Sequence, residues 1–165
     1  MTLGRGDRSA APYFWANAWA LAVIAITTLH HVYGAIVFDT PWRLHIVFIA
    51  VPIGALITVG LVYAWPRRHS RAGQLAKWSA ALLSLVFAFA LIGLYEGGYN
   101  HVLANIVFQM HGPEALMAFY DADIHQLPTE PVFEATGVAQ FAAGLGAGWT
   151  AIQLLRSRPD ALGSP

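Results

Sequence analysis

The sequence of 165 residues contains no cysteine. The chain can therefore form no disulfide, no thiolate metal site, no iron–sulfur cluster and no cysteine nucleophile. Charge is also scarce, because only 11% of the residues are charged, whereas soluble proteins have about a quarter. Nine basic and nine acidic residues give a net charge of zero. The composition therefore offers no case for nucleic acid as a partner.

Hydrophobic residues are abundant and make up 57% of the chain. They concentrate in four runs, at about residues 13–38, 44–65, 75–96 and 132–155. Each run is long enough to cross a hydrocarbon core of about 30 Å at about 1.5 Å per helical residue. We therefore predict an all-α integral membrane protein, a four-helix bundle formed by one domain over residues 1–165, with the lipid bilayer as its first partner.

Lysine and arginine predict the orientation of this bundle. They precede the first run, lie between the second and third runs, and follow the fourth: Arg5, Arg8, Arg67, Arg68, Arg71, Lys77, Arg156 and Arg158. The two remaining connections contain Arg43 alone. By the positive-inside rule both termini are cytoplasmic. Short loops and this clear bias favour the inner (plasma) membrane, with residues 97–131 on the periplasmic or extracellular side.

The outer segment, residues 97–131, has a helical pattern of its own. His101, Asn105 and Gln109 recur at every fourth position and apolar residues occupy the other face. This period predicts an amphipathic helix that lies along the interface or folds back over the mouth of the bundle. We expect Gly97 and Gly98 to form a hinge before it, and the Gly112-Pro113 pair to end it before a second short helical piece.

Ionisable side chains crowd the predicted outer end of the bundle. Six of the seven histidines and seven of the nine acids lie in the outer half. Histidine and glutamate without sulfur suit Fe, Zn, Mn or Cu(II), and such ligands at one level of a bundle are typical of metal sites. The candidate metal ligands are His30, His31, His45, Glu96, His101 and Glu134.

Each candidate also has a plain structural interpretation. Adjacent helical residues point about 100° apart, so we expect one of His30 and His31 to be a ligand and the other to bond a backbone carbonyl or a neighbouring helix. Glu96 and His101 are five residues apart, which does not align them on an α-helix, so their convergence requires the hinge. His45 and His101 could face headgroups, and an acid such as Glu134 is favoured in a first helical turn by the helix dipole.

Three functions fit these features. The favoured one is a membrane metalloprotein with oxidative or metal-assisted hydrolytic chemistry on a lipid-soluble or outer-face substrate, which would make it an oxidoreductase or a hydrolase. The second is a b-type haem protein that transfers electrons. The third is non-enzymatic: a transporter, a metal-delivery protein or an accessory subunit of a membrane complex. Glycines in the fourth run predict close helix contacts and are compatible with a homo-oligomer: Gly137, Gly144, Gly146 and Gly148.

Overall fold

The computed structural model describes residues 5–120 and 127–157, and this part of the chain is helical with no strand. Helix α1 spans Arg5–Val37, a 3₁₀ turn spans Pro41–Leu44 and α2 spans His45–Ala64. Helix α3 (Arg71–Leu83) continues without a break into a π-helix, Ser84–Leu103, and then into α4, Ala104–Phe119. Helix α5 spans Pro131–Arg156. His125 and Arg158, and the side chains of Arg5 and Arg8, lie outside the described residues.

Four helices in the described residues are long and apolar enough to cross a membrane. They run over Ala10–Val37, Pro41–Ala64, Arg71–Phe119 and Pro131–Arg156. The all-helical class and the four predicted spans are therefore confirmed. The third helix differs from its prediction because it covers 49 residues instead of ending near Glu96.

The predicted hinge at Gly97 and Gly98 is wrong. Both glycines lie inside the π-helix, which continues through them to Leu103. Gly97 serves close packing: a Cβ atom there would lie 2.4 Å from the backbone nitrogen of Phe141 in α5. The glycines therefore let a neighbouring helix approach, and they do not redirect the chain.

The bend that the sequence places at Gly112 is present. Gly112 has φ 82° and ψ −179°, a combination open almost only to glycine, and Pro113 follows it directly. The helical piece beyond it, which reaches Phe119, packs back on the long helix through Leu116 and Tyr120. The Tyr120 hydroxyl donates to the carbonyl of Tyr99 at 2.6 Å. This piece therefore folds back along the π-helix.

Helix α5 is the closest neighbour of the π-helix because both present glycine at the contact. A Cβ atom on Gly144 would lie 2.4 Å from the Cα atom of Gly93. Further along α5, added Cβ atoms would meet the ring of Trp19 at Gly146 and the ring of Phe89 at Gly148. The predicted role of the α5 glycines in close helix contact is confirmed.

The core changes from apolar to polar along α1. One apolar cluster surrounds Tyr13, Ala16 and Ala20, and a second surrounds Val23 and Ile24. The next three buried residues along the helix are polar: Thr27, His30 and His31. We call the end of the bundle where α1 ends and α5 begins the histidine end. At the opposite end Lys77, one of the basic residues that predict the orientation, is buried and donates to the carbonyl of Ser157 at 3.0 Å.

Candidate metal centre

Three histidines converge on one carboxylate oxygen at the histidine end. The Nε2 atoms of His30, His31 and His101 lie 3.7, 3.8 and 3.9 Å from Oε1 of Glu96. His30 is fully buried, and His31 and His101 are only 5% and 4% exposed. Among the described residues His30, Glu96 and His101 form a group that could hold a metal ion, since their ligand atoms lie within 4.8 Å of one another.

The π-helix brings Glu96 and His101 to the same face. Backbone hydrogen bonds in a π-helix join residues five apart, so such residues lie above one another. Glu96 and His101 have this separation. The buried residues of the segment also recur at four- and five-residue intervals, from Ala88 through Ile92 and Gly97 to His101. The expectation that only a chain break could make Glu96 and His101 converge is therefore wrong.

Both adjacent histidines of α1 reach the same oxygen. Their ring centroids are 5.1 Å apart with planes at 71°, and the Glu96 oxygen lies within 3.8 Å of both Nε2 atoms. His31 also bonds the carbonyl of Thr27, as one member of the pair was expected to bond a backbone carbonyl. Among the described residues, His30 is the member of the pair that belongs to the group that could hold a metal ion. This is in line with the expectation that one histidine is a candidate ligand and the other bonds a backbone carbonyl.

Helix α5 makes room for the third imidazole. A Cβ atom on Gly137 would lie 2.2 Å from Cγ of His101. No side chain can occupy that position while His101 stays in place. On its other side His101 meets the ring of His30, with centroids 4.7 Å apart and planes at 88°. The absence of a side chain at Gly137 therefore leaves the space that the His101 ring occupies beside the cluster.

The remaining nitrogen of each ring has a hydrogen-bond partner. Nδ1 of His31 lies 3.0 Å from the carbonyl of Thr27, to which it can donate, and 3.2 Å from the hydroxyl of Thr27, from which it can accept. Nδ1 of His101 donates to a carboxylate oxygen of Glu134 at 2.9 Å. In a neutral ring whose proton is on Nδ1, the Nε2 atom has a lone pair, as metal-binding histidines require.

The Nδ1 atom of His30 also has a hydrogen-bond partner, which is the hydroxyl of Thr136. The hydroxyl of Thr136 gives its single hydrogen to backbone carbonyls of its own helix, those of Val132 and Phe133, both at 2.9 Å. In that arrangement the hydroxyl oxygen accepts from Nδ1 of His30, which lies 2.9 Å away. Nε2 of His30 is buried and has no hydrogen-bond partner among the described residues.

With the proton of each ring on Nδ1, the three Nε2 atoms and the carboxylate oxygen are all hydrogen-bond acceptors, which cannot bond one another without an added proton. A cation could instead be held by His30, Glu96 and His101, whose ligand atoms lie within 4.8 Å of one another. Tetrahedral metal–ligand bonds of about 2.0–2.2 Å place donor atoms about 3.4 Å apart. The observed separations of 3.7–3.9 Å from Glu96 exceed that value by only a few tenths of an ångström.

Glu134 lies behind His101 and does not face Glu96. Its carboxylate accepts hydrogen bonds from Nδ1 of His101 and from the side-chain amide of Asn105. Asn100 likewise donates to the second oxygen of Glu96 at 3.0 Å. These contacts orient a histidine and a carboxylate in the way that outer partners orient metal ligands.

His45, another candidate ligand, lies at the rim. Its side chain is exposed, stacks on Trp42 with centroids 6.1 Å apart, and its Nδ1 atom contacts the carbonyl of Trp42. It lines the same cavity as His31 and Glu96. It is not a member of the group of three whose ligand atoms meet.

Sequence reasoning missed four residues that support the cluster. Thr27 and Thr136 anchor two rings, and Phe133 stacks on His30 with centroids 4.0 Å apart. Arg43 is buried within the site's outer wall, although its sequence position suggested only a charge beside the membrane. Of these four, only the contact of Thr27 could have been expected from the sequence, because the carbonyl four residues before a helical histidine lies within reach of its ring.

No family model, curated protein or solved structure matches this chain. The function is therefore inferred from the cluster and from the space beside it.

A cavity of about 480 Å³ opens beside the cluster. Its floor includes His31, Glu96, His101 and Glu134, and its walls are mainly aromatic. Tyr120 lies in one wall, where burial and the neighbouring Tyr99 raise its pKa to about 12. Its phenol therefore stays protonated at neutral pH. A small molecule in the cavity would contact His31, Glu96 and His101, whereas His30 is not among the described residues that line it.

Proposed function

We propose that this chain is an integral membrane metalloprotein that holds one transition-metal ion at the histidine end. The ligands are Nε2 of His30, His31 and His101 and the carboxylate of Glu96. The observation that carries the proposal is the convergence of three imidazole nitrogens, each with a lone pair, on one carboxylate oxygen. Such a donor set suits Fe, Zn, Cu(II) or Mn.

Glu134 acts in this proposal as an orienting partner. It accepts from His101 and Asn105 at once, which orients the His101 ring. His45 belongs to the rim of the cavity. The six candidates from the sequence thus divide into four ligands, one orienting carboxylate and one rim residue.

The chemistry that fits best is oxidoreductase chemistry on a lipid-soluble or outer-face substrate. Hydrolytic metal sites usually pair the metal with a free general base. Of the described residues that line the cavity, two have carboxylates, Glu96 and Glu134. The first is a proposed ligand and the second already has two hydrogen-bond partners. A redox-active ion needs no such base.

A b-type haem fits the same residues less well. Its two axial histidines must lie on opposite faces of a wide, flat ring. Here the ring centroids of His30 and His101 are 4.7 Å apart, and the other face of His30 stacks on Phe133. A single ion needs no slot between these rings.

The charge distribution supports placing the centre on the periplasmic or extracellular side of the inner (plasma) membrane. Arg67, Arg68 and Arg71 lie at the end opposite the histidines, and basic residues collect on the cytoplasmic side. The chemistry would then take place where a bilayer-borne substrate meets the outer leaflet.

Metal analysis of the detergent-purified protein tests the proposal. We expect about one transition-metal ion per chain and no haem absorption band in the visible spectrum. His101→Ala should lose the ion, whereas His111→Ala, an exposed histidine on the same long helix, should keep it. Wild-type protein that takes up no Fe, Zn, Cu or Mn, or equal metal content in both variants, would contradict the proposal.

A further inference from the structure

We infer that the cavity beside the cluster binds the head of a lipid-soluble ring compound that carries carbonyl oxygens, of the quinone type, with Arg43 as the oxygen-binding residue. This inference rests on the proposed function, because it names the substrate class of that same site. It concerns binding alone and adds no reaction step.

Arg43 is the first observation behind it. The side chain is only 7% exposed and lines the cavity. Its Nε atom donates to the hydroxyl of Thr40 at 2.9 Å, while its two Nη atoms have no hydrogen bond to any described residue. These Nη atoms are not among the fully buried unpartnered atoms of the described residues, so they are accessible from the cavity. A ligand that brings an acceptor oxygen into the cavity could accept hydrogen bonds from them.

The surroundings hold this guanidinium in place. Its central carbon lies 5.0 Å from the ring centroid of Trp42 and 5.1 Å from that of Phe133. Stacking on aromatic faces is a preferred arrangement for arginine, which presents a rigid fork of donors. Phe133 also stacks on His30. The oxygen-binding group and the proposed metal ligands are thus connected through one ring.

The cavity walls favour a flat ligand. Tyr95 and Tyr99 stack nearly parallel, with centroids 5.8 Å apart and planes 8° apart, and both line the cavity. Trp42 and His45 form a second, nearly parallel pair. A planar ring could stack against such faces. The volume of about 480 Å³ lies within the range of roughly 300–1,000 Å³ that small-molecule sites occupy.

The rim and the charges of the cavity favour a neutral, lipid-soluble compound. Trp42, Tyr95 and Phe119 line the cavity and are each more than half exposed, and exposed aromatics of membrane proteins concentrate at the lipid–water interface. The carboxylates of Glu96 and Glu134 lie in the same cavity. They would repel a phosphate headgroup, whereas a carbonyl oxygen can reach Arg43 without that penalty.

Equilibrium binding of a decyl-substituted benzoquinone tests the inference. The titration uses detergent-purified protein loaded with Zn²⁺, which is redox-inert, and follows quenching of tryptophan fluorescence, since Trp42 lines the cavity. We expect saturable binding at one site per chain. Decylbenzene, which has the tail and ring but no carbonyl, should bind at least about tenfold more weakly, as loss of a hydrogen bond to a charged group implies.

Two variants locate the oxygen-binding residue. Arg43→Gln should weaken quinone binding at least about tenfold, while Arg67→Gln, at the opposite end of the bundle, should not change it. If Arg43→Gln does not fold, Arg43→Lys keeps the charge and the aliphatic stem but loses the planar fork, and it should still weaken binding severalfold. Unchanged affinity in whichever Arg43 variant folds would overturn the inference.

The outcomes separate this inference from the proposed function. Stoichiometric metal with no saturable quinone binding would overturn the inference and leave the metal centre standing. Quinone binding that depends on Arg43, in a protein that takes up no metal, would overturn the metal centre and leave the inference about quinone binding standing. Displacement of the quinone by a short-chain phosphatidic acid of higher affinity would also overturn the inference, because the cavity would then be a phosphate site.

Discussion

Replacing Glu96 by glutamine removes the charged oxygen on which the three imidazoles converge. The amide keeps the size of the carboxylate but loses its charge, so the ion would lose its one anionic ligand. Changes to residues that merely orient ligands weaken metal binding by about 10–100-fold. Loss of a ligand should exceed the upper end of that range, at least about 100-fold, which corresponds to about 2.8 kcal/mol.

The metal-free protein should respond differently. Without an ion, Nε2 of His30 has no partner and the Glu96 oxygen faces three nitrogen lone pairs. A glutamine amide at position 96 could donate a hydrogen bond to one of these nitrogens. We therefore expect the metal-free Glu96→Gln protein to be at least as stable as the metal-free wild type.

Thermal unfolding in detergent, with and without Zn²⁺, measures both effects. At a metal concentration 100 times the wild-type dissociation constant, the ion should stabilise the wild type by about 2.7 kcal/mol and a variant with 100-fold weaker affinity by about 0.4 kcal/mol. Glu114→Gln, an exposed acid on α4, is the matched control and should behave as the wild type. Equal zinc stabilisation of the wild type and Glu96→Gln would refute the reasoning.

Three other changes have defined outcomes. Gly137→Ala should displace the His101 ring, because its Cβ atom would lie 2.2 Å from that ring, and metal content should fall by more than half; Gly148→Ala, which crowds Phe89 instead, should keep the metal. Thr136→Val should weaken metal affinity about 10–100-fold by freeing Nδ1 of His30, whereas isothermal titration should show no change for Thr150→Val, whose hydroxyl bonds only its own helix. Gly112→Ala should cost about 1–3 kcal/mol of unfolding free energy in denaturant titration because of its positive φ; an unchanged midpoint would contradict the kink.

The spans could be predicted because bilayer thickness fixes the length of an apolar helix. The continuation of the third span as a π-helix could not be predicted in the same way. Gly97 and Gly98 suggested a break, yet the chain there remains helical and packs against α5. Whether paired glycines bend a helix or let another helix approach depends on the neighbour, and here the neighbour itself presents Gly137 and Gly144.

The site was predictable in its residues and unpredictable in its geometry. His30, Glu96 and His101 stood out because polar side chains inside a membrane are costly without a partner. That Glu96 and His101 share a face follows from the π-helix, which five-residue spacing alone does not reveal. The reach of Thr136 to His30 depends on how α1 and α5 are aligned, and no local pattern encodes that alignment.

The position of Arg43 in the cavity wall likewise could not be fully predicted from the sequence. In the sequence this residue is the one lysine or arginine in the connections that are predicted to face outward, which gives it a role in the predicted topology. In the structure it is buried among Phe38, Trp42 and Phe133. Phe38 and Trp42 lie within five residues of Arg43 in the sequence, whereas Phe133 belongs to α5. The packed bundle is therefore needed to reveal the contact with Phe133 and the place of Arg43 in the cavity wall.

X-ray absorption spectroscopy at the zinc edge tests the central claim most directly. For detergent-purified, zinc-loaded protein we expect three imidazole nitrogens and one carboxylate oxygen at about 2.0–2.2 Å, with no sulfur. The Glu96→Gln spectrum should lack this four-ligand shell. Zinc bound by water oxygens and fewer than two imidazoles, or a wild-type spectrum that Glu96→Gln leaves unchanged, would contradict a metal centre built on His30, His31, His101 and Glu96.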